Sequence, residues 1–180
     1  MKTSIRGLCI SLASAALFAA CSAPSYVHVG PRWAQADSAS YPSARVKVAA
    51  SVPEASRGEL PAGKSFSLHV ETGNAGRVWI YAIDAEDRLE RVFPNDLAHE
   101  NAIDADRVTM FPGERGGWVM EADEVAGPLM MITVVTRPGS RLEGDLEHFD
   151  ADALLDSIKD YAGSDFGVTK LVLKVVDNGK

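Results

Sequence analysis

Residues 76–95 read GRVWIYAIDAEDRLERVFPN, and this stretch limits the possible folds more than any other. Side chains alternate along a strand, so Val78, Ile80 and Ala82 share one face while Trp79, Tyr81 and Ile83 share the other. Both faces are apolar or aromatic, which predicts a central strand covered on its two sides. Asp84, Ala85, Glu86 and Asp87 make a polar connection of hairpin length, and residues 88–93 return with Leu89 and Phe93 apolar. Pro94 has no N–H to offer a ladder and ends the pairing. Asn95 and Asp96 bond readily to nearby backbone and set a turn.

The rest of the chain repeats the strand signal. Residues 45–51 set Val46, Val48 and Ala50 against Arg45 and Lys47, as an edge strand would. Residues 64–72 turn Phe66, Leu68 and Val70 inward and Ser67, His69 and Glu71 outward, which leaves His69 on a solvated face. Residues 107–111 and 118–121 read as short strands around a Pro- and Gly-rich turn. Residues 129–136 are apolar on two faces, with Met130, Ile132 and Val134 opposing Leu129, Met131, Thr133 and Val135. They predict a second central strand, whose methionines fill gaps in the core. A helical period occurs over residues 150–161, where Leu154, Leu155, Ile158 and Tyr161 form one stripe. Asp150 or Asp152 is placed to cap that helix and Gly163 to stop it. Residues 168–176 form a last strand with Leu171, Leu173 and Val175 inward. These runs predict a mainly β fold: an antiparallel β-sandwich of roughly seven to nine strands with one α-helix in the C-terminal region.

A family resemblance rests on the same residues. A Gly-x-x-Phe-x-Leu-x-Val-x-Thr strand from Gly63 to Thr72 leads into Trp-Ile-Tyr-Ala-Ile-Asp and then into a Val-Phe-Pro-Asn turn at Phe93, Pro94 and Asn95. Asn-x-Ile-x-Ala from Asn101 to Ala105, Met110-Phe111-Pro112 and a Gly-Pro-Leu-Met-Met-Ile strand follow. Over residues 60–140 the chain resembles the bacterial domain-of-unknown-function family 4384. That family usually has Gly in the hairpin turn after the Asp, where this chain has Ala85-Glu86-Asp87. The resemblance implies an accessory or binding role, since the family has no agreed activity and occurs alone or joined to kinases and caspase-like peptidases.

The first residues read as a targeting segment. Lys2 and Arg6 precede an apolar run over residues 8–20 that is too short to span a bilayer. Small residues before Cys21 resemble a bacterial lipoprotein signal, in which residues 1–20 are removed and Cys21 is lipidated; the alternative is an ordinary signal peptide cleaved nearby. Ser22, in place of Asp, directs such a lipoprotein to the outer membrane by the bacterial sorting rule. Residues 21–44 would then be the lipidated Cys and a flexible tether rich in Ala, Ser and Pro, and residues 45–180 the β-sandwich domain. Cys9 lies within the signal, so no second cysteine remains to pair with Cys21 inside one mature chain. Removing Lys2 and Arg6 from the 18 basic residues leaves 16 against 25 acidic ones, a balance of −9. That surface argues against nucleic acid and against a basic membrane-binding patch.

Motifs of catalysis are lacking. There is no Gly-x-Ser-x-Gly elbow and no phosphate-binding loop, and Asp165-Phe166-Gly167 copies a kinase tripeptide without the rest of that set. The polar cluster at residues 96–106 supplies Asp96, His99, Glu100, Asn101, Asp104 and Asp106. Hard cations take several oxygen ligands, which makes Asp96, Asp104 and Asp106 candidates, but the spacing fits neither an EF-hand nor a zinc helix; the other reading is a solvated connecting loop. No cofactor is expected. Two function classes stay open. One is a non-catalytic envelope lipoprotein that binds or scaffolds another envelope protein in the periplasm. The other is a small-molecule, glycan or cation-binding module, or a cryptic hydrolase, using the 96–106 loop.

Overall fold

The computed structural model describes residues 30–113 and 117–177. The expected signal segment, Cys21 and the first part of the expected tether lie outside those residues. In chain order the described elements are α1 (Pro31–Ser38), β1 (Val48–Ser51), β2 (Glu59–Pro61), β3 (Ser65–Phe66), β4 (Leu68–Thr72), β5 (Gly76–Ile83) and β6 (Leu89–Phe93). There follow β7 (Ala102–Ile103), β8 (Val108–Phe111), β9 (Met120–Glu121), β10 (Gly127–Thr136), α2 (Leu142–Glu147), α3 (Leu154–Asp160) and β11 (Phe166–Val176).

The largest sheet runs β2-β11-β10-β5-β6, with β7 also paired to β5. Its contacts are antiparallel except β11 with β2. A three-stranded sheet, β1-β4-β8, and the β3-β9 pair form a second β layer. The two-faced reading of β5 and β10 holds. Val78, Ile80, Met131 and Val135 join Leu68, Val70, Phe66 and Phe111 in one core between the β layers. Trp79, Tyr81, Ile83, Met130, Ile132 and Val134 meet Leu142, Leu146, Leu154 and Ile158 in a second core under the helices. The fold is therefore mainly β and mostly antiparallel, as expected, with a helical layer added on the outer face of the large sheet.

That helical layer differs from the expectation of one helix. The stripe over residues 150–161 does form α3, but neither Asp150 nor Asp152 caps it. The N-cap is Ala153, with no side-chain bond, and the Asp150 Oδ1 instead holds the preceding turn by accepting from the backbone N–H groups of Asp152 (2.9 Å) and Ala153 (3.4 Å). Two further short helices accompany it. The six residues of α2 are too few to show a helical period, yet Leu142 and Leu146, one turn apart, are fully buried.

The tether reading does not hold for residues 30–44. Pro31 stands at the start of α1, where its missing N–H costs nothing. Trp33 and Ala36 are buried in the helix-side core. Both ends of α1 are held by charge. The Asp87 carboxylate accepts from the N–H groups of Trp33 (2.7 Å) and Arg32 (3.1 Å), opposite the positive end of the helix. Lys170 Nζ donates to the carbonyls of Ala36 (2.8 Å), Asp37 (2.8 Å) and Ala39 (3.1 Å) at the negative end. Gly30 is required by this arrangement, because a Cβ there would stand 2.3 Å from Asp87 Cγ. A composition of Ala, Ser and Pro hid the docking, since the partners of α1 lie far away in sequence.

The hairpin turn explains the departure from the family pattern. Asp87 takes a φ of 62°, the left-handed region that glycine favours. Here that residue carries the carboxylate that holds α1. Asp87→Ala is expected to cost about 1–2 kcal/mol through the lost cap, seen as a lower urea midpoint, and Asp87→Asn less. An unchanged midpoint in Asp87→Ala would show that α1 does not depend on this contact.

Candidate functional site

The residues singled out by sequence are not brought together. Phe93 is buried at 3% exposure, with its ring 4.8 Å from that of Phe111 and 6.1 Å from that of Trp118. Pro94 and Pro112 both follow cis peptide bonds. Asn95 closes its own turn: Oδ1 accepts from the N–H groups of Leu97 and Ala98, each at 3.0 Å, and Nδ2 donates to the Val92 carbonyl at 2.9 Å. The Phe-Pro-Asn segment is thus a structural corner. Cys21 lies outside the described residues.

The 96–106 cluster is spread along a connection that contains β7. Ile103 is buried and pairs with Gly76, while Asp96, Asp104 and Asp106 are exposed. Asp104 forms an ion pair with Arg107 at 3.6 Å, and the Asp106 N–H donates to the Thr72 carbonyl at 2.8 Å. Among the described residues, no group of three or more His, Cys, Asp or Glu side chains is placed to hold a metal ion. Replacing Asp96, Asp104 and Asp106 by Asn, singly, is expected to move stability by no more than about 0.5 kcal/mol, as measured by urea unfolding. A larger loss from any one of them would reveal a bound partner or ion there.

The structure instead forms a cleft of about 460 Å³ at the β6 end of the interface between the β layers. That volume is in the range of small-ligand and side-chain pockets. Its floor is the layer-facing side of the large sheet, at Ala82, Leu129 and Met131; Phe66, Trp118 and Met120 wall it from the second layer. Two local features open it. Ala82 is small where its face-mates Val78 and Ile80 are large, and it sits between Met131 on β10 and Glu90 on β6. Residues directly opposite in a sheet share a face, so Glu90 points a charge at what would otherwise be core. A small residue paired to a charge on a core face was the sequence signal for the cleft, and it was missed because strand pairing is not legible from one strand.

The rim is acidic. Asp84, Glu90, Glu121 and Asp123 line it, together with Arg91. Asp84 is structural: its Oδ1 accepts from the N–H groups of Glu86 (2.8 Å) and Arg88 (2.9 Å), and its Oδ2 from Arg88 Nε (2.6 Å). Hydrogen bonding to Asp84, with the charges of Asp84, Glu86 and Asp123 added, raises the Arg88 pKa above its ordinary value. Arg88 also reaches Asp123 at 3.3 Å and so bridges one end of the cleft. Arg91 turns to the opposite face, where its Nη1 donates to the carbonyls of Leu146 (3.3 Å) and Glu147 (3.2 Å). Among the described residues, no ion pair reaches Glu90 or Glu121. Among the described residues, the cleft therefore combines an apolar floor with two unpaired carboxylates, Glu90 and Glu121.

Among the described residues, no helix is long and apolar enough to cross a membrane. Neither the curated proteins nor the solved structures contain a match to this chain. A family comparison does find one: residues 59–138 match the family described as "Domain of unknown function (DUF4384)". That span contains every residue lining the cleft, both central strands of the large sheet and the two cis-proline corners. This chain carries a DUF4384 domain over residues 59–138.

Proposed function

We propose that the chain is a non-catalytic module that binds another envelope protein, held at the periplasmic side of a bacterial outer membrane by lipids on Cys21. The cleft is the observation that carries the binding role. Its apolar floor lies beside β6, the last strand of the large sheet, which among the described residues pairs with β5 alone. Apolar surface next to an unpaired strand edge is a place where proteins associate. Anchoring near the partner raises its effective concentration, so a cleft of this size suffices for capture.

A photo-crosslinking residue in place of Val119, exposed beside the cleft, tests the role in intact envelopes. It should give a discrete adduct that the same residue at Val172, exposed on β11, does not. Equal adducts from the two positions, or none from either, overturn the assignment. The anchor has its own test. Several acyl chains, each buried methylene contributing about 0.8 kcal/mol, hold a lipoprotein where a single chain would not. Cys21→Ser should therefore appear in the periplasmic fraction or persist as unprocessed precursor. Wild-type protein that stays in solution without detergent and has no acyl mass would remove the anchor.

A further inference from the structure

The cleft has a sign and a direction as well as a volume. An extended segment laid along β6 would place every second side chain over the cleft. One such position stands beside Glu90, with Glu121 across the opening. A neighbour two residues along on the same face meets Trp118 and the apolar wall. Among the described residues, the nearby cations leave Glu90 and Glu121 unpaired, because Arg91 bonds to α2 and Arg88 bridges the hairpin turn and Asp123. Resting on the binding role just given, we propose that the occupant is a strand of another protein carrying Lys or Arg two residues from a large apolar side chain. It adds to the outer edge of β6 over residues 89–91, which among the described residues has no strand beside it. Beyond that stretch the register breaks at Val92, whose carbonyl already accepts from Asn95 Nδ2. The long stem of the basic residue covers Ala82 and Met131, and its charged head reaches Glu90 and Glu121. Backbone hydrogen bonds to the edge supply register, and alternate side chains supply choice. A second copy of this chain fits poorly, since pairing β6 with β6 would bring two acidic rims together. The surplus of acidic residues, 25 against 18 basic, also favours encounter with a basic partner.

The test uses the full chain and synthetic eight-residue peptides that repeat Lys-Thr-Leu-Thr, which puts basic and large apolar residues on one face. Calorimetry should show the Lys peptide binding at least about tenfold more tightly than its Glu-for-Lys counterpart at low salt. Amide shifts should fall on β6. Glu90→Gln combined with Glu121→Gln, two exposed positions, should abolish that preference while leaving the fold intact. A backbone N-methylated Lys peptide should fail to bind, which separates strand addition from side-chain capture. Equal binding of the Lys and Glu peptides overturns the charge assignment, and full binding of the N-methylated peptide overturns strand addition. Concentration-dependent dimerisation with shifts on β6 would give the edge to a second copy instead. If no peptide binds while the Val119 crosslink persists, the strand proposal falls and the binding role stands. Loss of the two signals together removes both.

Discussion

Phe93→Ala should lower the stability of the chain by about 3–5 kcal/mol, the usual cost of truncating a buried aromatic ring. For a domain of this size that corresponds to a fall in Tm of roughly 10 °C. The size of the effect follows from position. Phe93 ends β6, sits opposite Ile80 on the central strand, and touches the rings of Phe111 and Trp118. It therefore joins the large sheet to the β8 corner and to the segment that leads into β9. Removing it leaves a void among three elements, and packed sheets collapse only in part to fill it. Phe93→Leu keeps much of the volume and should lose less than half as much. Thermal melts of the two variants decide the matter: if Phe93→Ala melts with the wild type, the corner does not hold the layers together.

A chain beginning at Arg45 should be at least about 3 kcal/mol less stable than one beginning at Gly30, because removing α1 strips a buried tryptophan from the core. Trp33, at 7% exposure, and fully buried Ala36 cover the same surface as Leu154, Leu155 and Ile158. Without them the outer face of β5 loses part of its cover, and Lys170 and Asp87 lose the helix ends they bind. Trp33→Ala in the intact chain should account for most of the difference, which can be read from urea unfolding monitored by circular dichroism. Equal stability of the two chain lengths would show that α1 rests on the domain without supporting it. The result also bears on the anchor. With residues 30–44 docked, they cannot serve as the flexible tether that the proposed Cys21 anchor was expected to use.

How far the fold was legible can be traced through particular residues. β5 and β10 were read correctly, even to the allocation of Val78 and Ile80 to one core and Trp79 and Tyr81 to the other. The turn at Asn95 was likewise readable, because an Asn side chain acts on the backbone of its own neighbours. α1 was not. Its stability comes from Asp87 and Lys170, which are 54 and 134 residues from the groups they bind. The acidic loop at 96–106 drew attention because its charges are close in sequence, yet neighbouring residues on an extended connection point apart. The cleft went unseen for the opposite reason: Ala82, Glu90, Trp118 and Met131 are scattered in sequence and converge only on folding.

By itself the sequence determined the mainly β character of the chain, the two-sided burial of its central strands, the corner at Phe93, Pro94 and Asn95, and the membership of residues 59–138 in the DUF4384 family. Each of these depends on alternation, on the missing N–H of proline or on local side-chain bonding, and such effects act within a few residues. Tertiary structure alone decided that residues 30–44 belong to the domain, that the outer face of the large sheet is covered by helices, and that a small residue on β5 and a charge on β6 open a cleft. Those features depend on which strands become neighbours and in what register. Strand pairing is selected by the summed burial of the whole chain, and no single segment contains that information.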